Sequence, residues 1–145
     1  MTLGDILRNK GHDVVTIEPD RTVLDAMRLL VEHGIGGVVV VRGGADMVGI
    51  LTERDVLRLG AQDPRRLTDT PVSEAMTTEL VVSTPEDDLS HVMDVMTKHR
   101  IRHLPVVRAG RLAGIVSIGD VVNACRKDAE GENEHLRAYI HGVTA

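Results

Sequence analysis

The chain has 145 residues and a formal charge of −5, with 42% hydrophobic and 27% charged residues, an ordinary globular balance that suits one compact domain or two small halves. The acidic balance argues against a general nucleic-acid binder, which needs a basic face to displace counterions. No apolar run approaches the ~20 residues that span a bilayer, and a single cysteine, Cys125, excludes an internal disulfide or a cysteine-based zinc cage.

In chain order, Leu3–Leu7 forms a short pre-helix, and the β-branched run Val14–Ile17 predicts a strand that ends at Pro19-Asp20. Thr22 followed by Asp25 is a capping-box start. Val23, Ala26, Met27, Leu30 and Val31 then recur at helical spacing, and Gly34 is placed to end that helix. Val38–Val41 and Met47–Leu51 predict strands joined by a hairpin at Gly43-Gly44, and a helix follows from Glu53. The valine strand lacks alternation, which predicts cover on both faces. Ala61–Thr70 is a short polar linker, and Val72–Met76 a second pre-helix. A strand at Val81–Ser83, a helix over Leu89–His99, strands at Leu104–Val107 and Leu112–Ser117, and a helix from about Ile118 complete the pattern. A separate short helix is expected over Glu132–Ile140, with Leu136, Tyr139 and Ile140 on one side. It suits a dimer contact, a lid over a cleft, or a helix folded back on the body.

The second half repeats the first. With Pro19 laid on Pro85, an offset of 66, Ile35 falls on Ile101 and Val38–Val41 on Leu104–Val107. One residue is lost in the hairpin, and Gly49-Ile-Leu-Thr-Glu-Arg-Asp55 then lies on Gly114-Ile-Val-Ser-Ile-Gly-Asp120. Two units of about 60 residues in β-α-β-β-α order are implied. The divisions are 1–62 for repeat 1 with its pre-helix, 63–78 for linker and second pre-helix, 79–127 for repeat 2, and 128–145 for the tail. The expected class is α/β (α+β), with the repeats packed sheet to sheet about a pseudo-two-fold axis and clefts between them.

The paired Gly-x-x-Thr/Ser-x-x-Asp ends carry the most chemistry. At a strand-to-helix junction the hydroxyl caps the helix and the Asp sits favourably in its first turn. The same geometry can serve a ligand: a carboxylate accepts two hydrogen bonds from a ribose diol, and the exposed N–H groups and hydroxyl hold phosphate. Both readings apply to Thr52/Asp55 and to Ser117/Asp120.

These doubled ends, together with Arg102-His-Leu-Pro-Val106, resemble cystathionine-β-synthase (CBS) domains, two of which in tandem form a Bateman module. The resemblance spans roughly Leu3–Arg126. It implies a regulatory module that binds an adenosine nucleotide in the inter-repeat clefts, AMP first, with ATP and NAD(H) as alternatives. By that resemblance Asp55 and Asp120 hold ribose, with Thr52 and Ser117 beside it. Backbone groups of Thr16, Ile17, Val82 and Ser83 read adenine, and Val38, Val39, Leu104 and Pro105 flank the ring. Arg54, Arg102 and His103 are the expected phosphate cations. Aliphatic walls suit a chain with one Tyr and no Phe or Trp.

The repeats diverge at the phosphate positions, since Arg102-His103 corresponds to Gly36-Gly37 and Glu53-Arg54 to Ile118-Gly119. Two related but unequal pockets are therefore expected. The resemblance also implies a homodimer forming a four-repeat disc, and a separately encoded enzyme or transporter as regulated partner. A ligand-free structural dimerisation module is the rival reading.

Other candidates are weaker. His99 and His103 have a metal-like spacing, but the helix should end between them and no further ligand sits at a matching distance, so no metal is expected. Cys125 reads as an inert thiol. Ser90-His91 lacks a nucleophile elbow, and Glu86-Asp87-Asp88 reads as helix-capping charge. No enzymatic activity, no nucleic acid and no membrane contact are expected. Met1–Lys10 lacks the order of a secretory signal, and a soluble, cytoplasmic protein is the expectation.

Overall fold

The computed structural model describes residues 1–140, with side chains through residue 131. Helix α1 covers Leu3–Lys10, and strand β1 covers Thr16–Ile17. Then come α2 (Val23–His33), β2 (Gly37–Arg42), β3 (Asp46–Thr52) and α3 (Glu53–Gln62). Thr22 caps α2 as the sequence predicts: its hydroxyl accepts from the Asp25 N–H at 3.1 Å, and Asp25 returns the bond to the Thr22 N–H at 3.2 Å. The linker contains a single helical turn, α4 (Arg66–Asp69), which packs on α2 and α3.

The second half runs α5 (Val72–Ala75), α6 (Leu89–His99), β4 (His103–Arg108), β5 (Arg111–Ser117) and α7 (Ile118–Ile140). The expected strand at Val81–Ser83 is reduced to a parallel bridge between Ser83 and Val106. That bridge is the counterpart of Ile17 opposite Val40 in the three-stranded sheet β1-β2-β3. Both hairpins are antiparallel and shift register at corresponding points, between Val40 and Val41 and between Val106 and Val107. Helix α7 is continuous through Ile140, so the tail extends α7 and is not a separate helix. The expected roles of Leu136, Tyr139 and Ile140 fall outside the described side chains.

Val38–Val41 are buried on both faces, as the unbroken run predicts. Val38 and Val40 join the core between β2 and α2, with Ala26, Leu30 and Leu51. Val39 points the opposite way and is also fully buried, which places it at the seam between the repeats. The seam's axis lies where Gly37 meets His103. These are equivalent positions in the two repeats, and a Cβ added at Gly37 would lie 3.2 Å from the His103 ring.

The pre-helices are exchanged. Leu3, Ile6 and Leu7 of α1 pack in the core of repeat 2 with Leu104, Val106 and Val116. Val72, Ala75 and Met76 pack in the core of repeat 1. Core packing thus crosses the sequence division that grouped α1 with repeat 1. The exchange explains the motif glycines: a Cβ at Gly114 would lie 2.6 Å from Leu7 Cδ2, and one at Gly49 would lie 2.6 Å from Met76 Sδ. Each glycine lets the other repeat's pre-helix press directly on the strand backbone.

Candidate functional site

Both motifs are built as reciprocal helix caps. The Thr52 N–H donates to Asp55 Oδ2 at 2.9 Å, and the Ser117 N–H donates to Asp120 Oδ2 at 2.9 Å. In return the Asp55 and Asp120 N–H groups donate to the Thr52 and Ser117 hydroxyls at 3.4 and 3.1 Å. Capping leaves each carboxylate with spare acceptor positions.

At the first motif, Asp55 is 8% exposed and lies at a cavity of about 430 Å³ between the repeats. That volume falls within the ~300–1,000 Å³ typical of small-molecule sites. One wall is β3 and the start of α3, with Ile50, Thr52 and Arg54. The other is the α6–β4 corner, with Arg102, His103 and Pro105. Sequence reasoning did not single out Arg58, Arg100, Thr77 and Glu79, nor Leu80 and Val81, which also line it. Arg58 had a legible signal, since it lies one helical turn beyond Arg54.

Arg54, Arg58, Arg100 and Arg102 are all exposed at this cavity. The ion pairs found among the described residues engage Arg8, Lys10, Arg21, Arg65 and Arg126, and none of these four. Arg100 caps α6 in the left-handed conformation, φ 55°, where repeat 1 has Gly34 at φ 61°. That conformation costs a residue with a Cβ about 1–2 kcal/mol.

The second motif is occupied by the chain itself. The Lys10 ammonium donates to Asp120 Oδ2 at 2.7 Å and to the Ile115 carbonyl at 2.8 Å. In repeat 1 the same two tasks fall to Thr77. Its hydroxyl donates to Asp55 Oδ1 at 3.2 Å, and its N–H donates to the Ile50 carbonyl at 2.9 Å. The cause is the length of the pre-helix. Helix α5 stops after four residues and lets the backbone reach β3, whereas α1 runs for eight and delivers a long side chain. Burial pushes the Asp120 carboxyl up, but hydrogen bonds from Lys10 and Ser117 outweigh it and hold the group below the usual carboxylate value.

Of the residues expected at a site, Thr52, Arg54, Asp55, Arg102, His103 and Pro105 meet at the first cavity. Ser117 and Asp120 lie at the Lys10 contact instead. Thr16 and Ile17 line a separate groove beside α2, with Arg21 and Arg28. Val38 and Leu104 face the cores of their own repeats, because adjacent strand residues point to opposite faces. Val39 faces the seam without lining the cavity. The Ser83 N–H and carbonyl are both consumed in pairing with β4, at 3.0 and 2.8 Å, which leaves no free edge for a base. Val82 is exposed outside the cavity.

His103 stands between the two motifs. Burial lowers its pKa from the ordinary 6.5, against the opposing pull of Glu53 and Asp120. Its ring fits because Gly36 and Gly37 carry no side chain: an added Cβ at Gly36 would lie 3.0 Å from His103 Nε2.

Two β-α-β-β-α repeats joined at a pseudo-two-fold seam, with exchanged pre-helices and a cleft between them, define a tandem CBS pair. The chain belongs to the CBS domain family, which matches residues 2–61 and 72–127. It is 38% identical to the mitochondrial CBS domain-containing protein CBSX3 of Arabidopsis thaliana, over 97% of this chain and 72% of that one. The solved CBS-domain containing protein of Agrobacterium tumefaciens is 42% identical, with a TM-score of 0.83 over 86% of this chain and 98% of that chain. The CBS domain pair of protein MJ0100 was solved with 5′-methylthioadenosine and S-adenosyl-L-methionine. It is 26% identical, with a TM-score of 0.76 over 86% of this chain and 98% of that chain. Among the described residues, no helix is long and apolar enough to cross a membrane.

Proposed function

We propose that the protein is a non-catalytic regulatory module that senses an adenosine nucleotide through its first cleft. The observation that carries this reading is the cavity holding the buried Asp55 beneath exposed arginines from both repeats. Asp55 accepts the ribose hydroxyls and Thr52 lies beside it. The base lies among aliphatic groups, Ile50, Val81 and Pro105. The arginines and His103 receive phosphate. AMP is the smallest ligand with all these parts, and the adenosine compounds in the MJ0100 pair support the ligand class.

The walls of the cleft belong to different repeats, so a bound ligand favours one relative placement of the halves. A partner that reads that placement is then controlled by a shift in population. The partner surface includes a second copy of this chain, a reading supported by Leu57 on α3 and Val122 on α7. These occupy equivalent positions and are 73% and 51% exposed.

Calorimetry with AMP tests the reading. The wild type should bind one equivalent per chain at the first cleft. Asp55→Ala should weaken binding about tenfold or more, the worth of hydrogen bonds to a charged group, while Asp120→Ala should change it little. No binding of AMP, ATP, NADH or S-adenosylmethionine would leave the structural dimerisation module as the better account.

A further inference from the structure

We propose that Arg58 and Arg100 form a second anion seat in the first cleft, making it selective for adenosine ligands that carry a pyrophosphate. The proposal rests on the nucleotide reading above and deepens it.

The cavity's arginines come as two pairs on facing elements. Arg54 and Arg58 lie one turn apart on α3, and Arg100 and Arg102 flank Ile101 at the α6–β4 corner. Arg54 and Arg102, with His103, suffice for a single phosphate beside the ribose carboxylate. Arg58 and Arg100 are surplus to that task, and neither has an ion-pair partner among the described residues. Four guanidiniums around one mouth repel one another unless more than one anionic group lies between them.

The pseudo-symmetry sharpens the point. The positions equivalent to Arg54, Arg58, Arg100 and Arg102 are Gly119, Asn123, Gly34 and Gly36. Every cation of this cleft is replaced by a neutral residue in the other repeat, so the fold itself does not need them. Arg100 adds an independent sign. It adopts the left-handed cap conformation, φ 55°, that Gly34 meets without a Cβ. A strained side chain at a cleft mouth is expected where the side chain serves a ligand. Guanidinium, with its planar fork of donors, suits phosphate oxygens.

Calorimetry with AMP, ADP, ATP and NADH, for the wild type, Arg58→Ala and Arg100→Gly, tests this. The wild type should bind ADP at least about tenfold tighter than AMP, and the preference should shrink as salt rises. ATP and NADH separate a terminal polyphosphate from a dinucleotide as the preferred source. Arg58→Ala and Arg100→Gly should each reduce the ADP preference while leaving AMP affinity nearly unchanged. Arg100→Gly should also keep or raise the melting temperature, because the glycine relieves the left-handed backbone. AMP binding as tightly as ADP, ATP and NADH, or both variants weakening AMP as much as ADP, would overturn the second seat while leaving the nucleotide reading intact. Failure of all four ligands to bind overturns both.

Discussion

The two clefts of this protein descend from one plan and differ in who fills the carboxylate. In the first, Asp55 is held by a Thr77 hydroxyl and still faces an arginine-lined cavity. In the second, Asp120 is held by the Lys10 ammonium. The motif residues barely differ. What differs is one extra turn of pre-helix, which replaces a short backbone approach with a long cationic side chain. A duplicated binding motif therefore need not mean a duplicated site, because the neighbour supplied by the other repeat decides what the motif can do.

The largest expected effect lies in the exchanged pre-helices that create this difference. Leu7→Ala removes a fully buried side chain from the core of repeat 2 and should cost about 2–5 kcal/mol in urea denaturation. The equivalent Met76→Ala should cost less, since Met76 is only partly buried. In hydrogen exchange, Leu7→Ala should loosen β4–β5 more than β2–β3. The opposite ranking would break the exchange picture.

A smaller effect is expected at the Lys10–Asp120 pair, which is partly solvent-exposed. Lys10→Met should cost no more than about 1 kcal/mol at neutral pH, and NMR titration should show the Asp120 carboxyl moving up. Because folding lowers this pKa, the pair's contribution is present above the ordinary carboxylate value and vanishes as the pH falls through the folded one. The cost of Lys10→Met should therefore disappear in acid. An unchanged Asp120 titration would show that Lys10 is not its partner.

The smallest is a slope. Burial lowers the His103 pKa, so the unfolded chain takes up the proton first. Stability should fall as the pH drops below about 6.5, levelling once the folded ring protonates. His103→Gln should flatten that slope. A slope unaltered by the substitution would place the titrating group elsewhere than the seam.

Much of this was readable before folding. The capping boxes at Thr22, Thr52 and Ser117 are local, so hydroxyl and carboxylate three residues apart sufficed to place them. The unbroken Val38–Val41 run announced a strand covered on both faces. The helix over Leu89–His99 was legible from its periodicity alone. The strand at Val81–Ser83 was overestimated, because a single bridge to β4 satisfies Ser83 and the residues before it turn to the cleft. Val38 and Leu104 were expected at the ligand because sequence spacing names a strand without naming which face of it meets the other repeat. The tail was read as separate, but no glycine or proline between Ile118 and Ile140 stops α7 apart from Gly131, which the helix absorbs.

The sequence by itself determined the duplication, the order of elements in each repeat, the two caps, and the fact that the phosphate-facing positions diverge. These follow from contacts within a few residues of chain. Only the tertiary structure decided that each pre-helix serves the opposite repeat, that Arg54, Arg58, Arg100 and Arg102 converge on one cleft, and that Lys10 closes on Asp120. Those outcomes depend on residues up to 110 positions apart in the chain, and nothing local to either partner records which of two similar surfaces it will meet.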